Sequence, residues 1–148
     1  MMFATTETES VSNWPREAID VQQWSDDTGL ARLSLLSPDV MGVELHGYVS
    51  AGVADFLHEH LTKFFDSSGQ AHMFWDTEKL QGHAGAGRDV VVKMLFQRRS
   101  QWQSVHVLYQ SALIGVTVTA LSLALGSSYQ GHKDRAKFMA ALEQTLAG

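Results

Sequence analysis

Three groups of residues in this chain have the types and spacing from which a functional site could be built. Asp76 and Glu78, with His83 close behind, would offer two carboxylates and an imidazole for proton transfer,. Catalysis needs a nucleophile beside a base, or two carboxylates held together. No other residue completes such a set, and acids at strand ends commonly cap loops. The expectation is that the chain has no catalytic residue and is not an enzyme. The second group, Gln81-Gly82-His83 through Gly85, Gly87 and Arg88, could cradle an anion. Glycines let backbone amides approach, and a helix starting near Ala86 would present free N–H groups,. It matches neither the Walker nor the dinucleotide pattern, so a structural or protein-contact loop is the better reading. The third group is His58-Glu59-His60. Two positions apart on a helix differ in direction by about 200°, too far to grip one ion. His60 falls on an apolar stripe and reads as a core histidine, and His72 and His83 have no partner at ligand spacing. No metal and no cofactor are expected.

Composition narrows the classes further. The 148 residues are about one domain's worth, 45% of them hydrophobic,. With no cysteine, disulfides and thiol chemistry are excluded, and a cytoplasmic location is expected. The net charge of −5 is uneven, since six acids and only Arg16 precede Thr28, leaving ten acids and ten bases beyond it. Such a neutral body has no basic face for nucleic acid. Residues 1–16, which open without a secretion-type core, read as a disordered lead-in to a single domain at 17–148,.

The elements that must position these groups follow from periodicity. Glu17–Trp24 and Ala31–Leu36 read as a hairpin about a Ser25–Gly29 turn,. Val40–Tyr48 alternates, with one face expected buried and the other wet. Ser50 is a candidate N-cap for a helix with Val53, Phe56, Leu57, His60, Leu61 and Phe64 on one stripe,. Asp66–Gln70 stops it, Ala71–Trp75 follows as the central strand, and a glycine-rich loop leads to a helix ending at Arg98-Arg99. Ser104–Tyr109, a helix at Ala112–Leu125, a short edge strand at Ser127–Gln130 and a last helix burying Ala136, Met139, Leu142 and Leu146 complete an α/β fold of mixed sheet and about four helices,.

Ser111–Gly126 is sixteen residues without a charge, short of the roughly 20 needed to cross a bilayer, so a buried helix is expected. Opposite its core stripe stand Ala112, Gly115, Thr119 and Ser122, all small and uncharged. Such a face implies cover by another surface: a second copy of the chain, a partner protein, a lipid-like ligand or a flanking segment such as residues 1–24.

Val43-Glu44-Leu45-His46-Gly47, Phe74-Trp75-Asp76, and Tyr129 with Asp134-Arg135-Ala136-Lys137-Phe138-Met139 together resemble the STAS superfamily, the fold of sulfate transporters and anti-anti-sigma factors. The SpoIIAA-like branch is the nearest in pattern, over Leu30 to Leu146. In that family an Asp-Ser-Ser-Gly turn after the central strand is phosphorylated to break partner binding. Here Asp66-Ser67-Ser68-Gly69 precedes the central strand, and Leu80–Gly87 after it contains no serine or threonine. The resemblance therefore implies a non-catalytic regulatory or scaffold module acting through protein contacts, without that switch. Its candidate contact residues are Asp76, Gln81, Gly82, His83, Gly85, Gly87 and Arg88. The alternative is a small-ligand or lipid-binding domain, which an apolar cavity lined by Phe96, Leu113 and Ile114 would favour.

Overall fold

The computed structural model of the chain describes residues 14–83 and 85–148. Six strands form one sheet in the order β1 (Asp20–Ser25), β2 (Gly29–Ser37), β3 (Val40–Val49), β4 (Ala71–His83), β5 (Trp102–Leu108) and β6 (Tyr129–His132). β1, β2 and β3 pair antiparallel, whereas β3 to β6 run parallel. Each parallel step is made by a helix: α1 (Ala51–Ser67), α2 (Gly85–Gln97) and α3 (Ala112–Leu125). Crossovers of one hand between neighbouring strands put all three on the same side. The last helix, α4 (Arg135–Ala147), packs its Phe138 and Leu142 on the other side with Phe74 and Leu108.

Local chemistry starts the chain along this path. The Asp26 carboxylate accepts from the Thr28 N–H at 2.8 Å and the Gly29 N–H at 3.0 Å, closing the β1–β2 turn. Its other oxygen accepts from the Ser50 hydroxyl at 2.7 Å, and Ser50 in turn accepts from the Val53 N–H at the start of α1. These bonds to the charged form, Ser50's foremost, hold the Asp26 carboxyl far below the usual carboxylate range,. A hairpin turn and a helix cap thus share one acid.

The larger core lies under α1, α2 and α3, where Met73 and Trp75 of β4 meet Leu57, Leu61, Leu95 and Val118. The smaller one lies under α4, and Trp14 belongs to it. Of the expected lead-in, residues 1–13 lie outside the described residues, while Trp14 is buried, and its indole N–H donates to the buried Glu44 at 3.1 Å. It rests on Gly42, where an added Cβ would come within 2.7 Å of the Trp14 ring.

Several expectations are corrected by this double cover. β3 is buried on both faces from Val40 to Leu45, because α4 and Trp14 cover the side expected to be wet. β4 runs on to His83 and absorbs Gln81 and Gly82, so the expected glycine loop is strand followed closely by helix. β6 begins at Tyr129, two residues later than expected, after a short turn of 3-10 helix at Gly126–Ser128. In α4 the buried positions are Phe138 and Leu142; Ala136 is exposed and Met139 and Leu146 are only partly buried. The large aromatic sets the phase of the helix, since it has the most area to remove from water. His60, expected in the core, is half-buried against Phe56 at a ring distance of 4.6 Å, and His58 is exposed. Replacing Phe138 by Ala should cost about 3–5 kcal/mol in urea unfolding, and Ala136→Ser under about 0.5 kcal/mol. Equal losses would contradict this packing.

Candidate functional site

Parallel strands deliver their carboxyl ends, and the starts of α2 and α3, to one edge of the sheet, and β4 projects furthest there. Its last pair with β5 is Asp76 with Leu108, yet it continues to pair β3 as far as His83 with Val49. The Thr77 hydroxyl donates to the Leu108 carbonyl at 2.7 Å and closes the end of β5. The projecting ribbon exposes Gln81 and Tyr48, with Gly82 against the Tyr48 ring. Gly85 opens α2. Gly87 is buried, and a Cβ there would meet Val49 at 3.1 Å, so its smallness serves the packing of α2 onto β3. Arg88 is exposed beside Asp89 at 3.4 Å.

The expected grouping of Asp76, Glu78 and His83 is not brought together. Asp76 and residue 83 are seven positions apart on one extended strand, about 23 Å at roughly 3.3 Å per residue,. Asp76 and Glu78 are instead joined by Arg135 at the start of α4, which donates to Asp76 Oδ2 at 2.7 Å and through Nε to Glu78 Oε1 at 3.0 Å. A second Arg135 contact, from Nη2, reaches the same Glu78 oxygen. Gln110 donates to the other Glu78 oxygen at 3.0 Å. Hydrogen bonding from Arg135 keeps the Glu78 carboxyl below its usual range, so both acids are acceptors for structural donors. This cluster fastens α4 to β4.

A histidine pair, unremarked by any spacing, lies under α4. His106 of β5 stacks on Phe74 with centroids 4.6 Å apart and planes 3° apart, and its Nδ1 is 2.9 Å from His132 Nε2 of β6. One ring must donate and the other accept, so the two are not both protonated in this arrangement. Burial, with His132 beside it, lowers His106 to about 4.

The outward face of α3 is broader and more apolar than its small residues implied. Leu113, Val116 and Leu123 are 56%, 70% and 84% exposed. Ala112, Gly115 and Thr119 floor a shallow groove with Tyr109, Val116 and Lys133, whereas Ser122, partly buried, lies outside it. On the inner side, a cavity of about 100 Å³ opens between α2, α3 and the sheet. Ile114 lines it; Phe96 and Leu113, expected there, face outward. Sequence reasoning used Trp75, a wall of this cavity, and Arg135 only for the resemblance and gave neither a site role, and it missed the His106–His132 pair, since these contacts join residues far apart in the chain. The Ser67 and Ser68 hydroxyls are engaged by Phe64 O and Asp39 Oδ1 at the opposite edge of the sheet.

Removing the Asp76 carboxylate takes away one of Arg135's two carboxylate partners and the acceptor of the Glu78 N–H, so Asp76→Ala should lower unfolding free energy by about 1–3 kcal/mol,. An unchanged urea midpoint would show that the clamp carries no stability. The histidines set a pH dependence. His106 falls in the folded chain from its ordinary 6.5 to about 4, so between these values the unfolded chain binds the extra proton. Stability is therefore full above about pH 6.5 and declines as pH falls toward 4, with His46, His72 and His132, also lowered by burial, adding to the slope,. His106→Phe, which keeps the stack on Phe74, should flatten the decline between pH 6.5 and 4.5 in urea melts.

No family model and no curated protein matches this chain. Solved structures do. An uncharacterized protein of the DUF3478 family, with a SpoIIAA-like fold, from Shewanella loihica PV-4 superposes with a TM-score of 0.59 at 10% identity, over 90% of this chain and 98% of that one. The anti-sigma factor antagonist SpoIIAA, in its unphosphorylated form, superposes with a TM-score of 0.59 at 9% identity, over 76% of this chain and 97% of its own. The antiparallel entry of β1 to β3, the parallel run to β6 and the four helices are thus those of a SpoIIAA-like α/β fold.

Proposed function

We propose that the chain is a non-catalytic regulatory or scaffold module that works by contact with another protein, a second copy of itself included. The observation that carries this reading is the outward face of α3, with three large apolar side chains more than half exposed. Contiguous apolar surface of this kind marks sites that another surface covers. The projecting end of β4 and the start of α2, with Gln81, Gly82, Arg88 and the exposed Tyr48, lie at the edge of the sheet where α3 also begins, and extend the contact area. The partner-contact role expected of Asp76 is modest, since that residue is buried and held by Arg135. Residues 81–88 contain no serine, threonine or tyrosine, so this reading includes no phosphorylation switch there.

Among the described residues the acids that could serve catalysis are tied to structural donors, which is consistent with a contact role. No described helix is long and apolar enough to cross a membrane. The test is a paired Val116→Lys, Leu123→Lys variant, compared with the parent in sedimentation and in affinity capture from the native cell. The changes sit in water and should alter stability by under about 0.5 kcal/mol. Loss of self-association, or of a captured protein that the parent retains, is the expected result. Identical behaviour of parent and variant would overturn the reading.

A further inference from the structure

α2 packs chiefly on α1 and α3 on β6, so the two helices leave a crevice between them over β4 and β5. The cavity of about 100 Å³ lies in this crevice. Its floor is the buried Trp75, Val105 and Val107, and Ile114 and Leu121 of α3 close one side. The opening is marked by wall residues that are not buried: half-buried Val91, Val92 and Thr117, and exposed Arg88. The indole nitrogen of Trp75 has no partner among the described residues and is sealed off, so its ring serves the cavity only as an apolar wall. Thr77, Thr117 and Tyr129 also line the space, and the Thr77 proton is given to the Leu108 carbonyl. These groups are neutral, and Arg88 alone among the lining residues carries a charge. Its one carboxylate contact among the described residues is to Asp89 at 3.4 Å, with both side chains exposed.

We propose that this crevice binds a short alkyl carboxylate, with the hydrocarbon tail in the cavity and the carboxylate at the mouth on the Arg88 guanidinium. An empty apolar space forfeits dispersion contacts along its walls. A hydrocarbon tail restores them, whereas water finds few polar partners in such a lining. Size sets the tail: an engineered apolar cavity of about 150 Å³ in another protein takes benzene, so the 100 Å³ here holds about four carbons,. Charge selects the head. A carboxylate held at the opening stays in water and avoids the cost of burial, and it can take two parallel N–H bonds from a guanidinium. The exposed contact to Asp89 is weak enough to be exchanged for it,. An alkylammonium would instead meet Arg88 as a like charge. Apolar burial thus supplies most of the affinity and one charged group supplies orientation, the usual division in small-molecule sites. The site goes beyond the contact role and does not rest on it.

The test titrates the whole chain with acetate, butyrate, hexanoate and octanoate, and with hexan-1-ol and hexylammonium to vary the head group. Methyl resonances of Val107, Ile114 and Leu121 report filling of the cavity. Affinity should rise about fourfold per added methylene until the tail fills the space near hexanoate, and level off at octanoate. Hexanoate should bind about threefold tighter than hexan-1-ol, and hexylammonium weakest of the three. Arg88→Gln changes an exposed side chain, so the variant should fold; it should abolish the preference for hexanoate and leave hexan-1-ol binding unchanged. Absence of methyl shifts at millimolar hexanoate, or an affinity that does not change from acetate to hexanoate, would overturn the proposal. Equal binding of hexanoate and hexan-1-ol by the parent chain would overturn it too, as would an Arg88→Gln variant that keeps the preference for the acid.

Discussion

The constraint on which the rest of this structure depends is that β4 is covered on both sides. Alternate residues of one strand serve two different layers: Met73 and Trp75 face the core under α1, α2 and α3, while Phe74 meets α4 and Asp76 receives the α4 arginine. With a side-chain period of two, a slip of one residue would exchange these sets and put a carboxylate among aliphatic side chains. The register with β3 and β5 is therefore fixed by chemistry on both faces at once. Everything at the carboxyl edge of the sheet, including the projecting ribbon and the start of α2, takes its position from that register.

Much of this arrangement can be read from residues alone, and the reasons for the exceptions are physical. α3 is legible to the residue from its uncharged run and apolar stripe, and the structure adds a Ser111 cap at its start and Gly126 at its end. α1 is legible from Ser50 and its apolar stripe. The far end of β4 is not, since Gln81 and Gly82 are turn-prone residues held extended only by their pairing with β3, a tertiary effect that overrides local preference,. The phase of α4 fails for a similar reason: Ala136 and Met139 are as apolar in pattern as Phe138, and only the presence of Phe74 and Trp14 beneath the helix chooses among them.

The candidate site divides in the same way. Glycines and charges at 82–88 announce an edge with a change of element, and the structure places one there. The clamp of Arg135 on Asp76 and Glu78 joins residues from distant parts of the chain, and the cavity exists because helices and sheet leave a gap, which no single segment encodes. The unpaired Trp75 N–H is legible only once its surroundings are known.

The smaller core has a consequence for how the chain comes into being. Trp14, near one end, and Phe138 and Leu142, near the other, share that layer, and Trp14 lies in the space left by Gly42 while bonding the buried Glu44. During synthesis the hairpin and the successive strand-helix-strand units can close in order as they emerge, but this side of the sheet has only Trp14 as cover until α4 leaves the ribosome. Until then Phe74, Leu36 and Leu108 face water, and the nascent protein passes through a stage with one finished surface and one adhesive one. Such stages are where sheets of high contact order meet chaperones or aggregate.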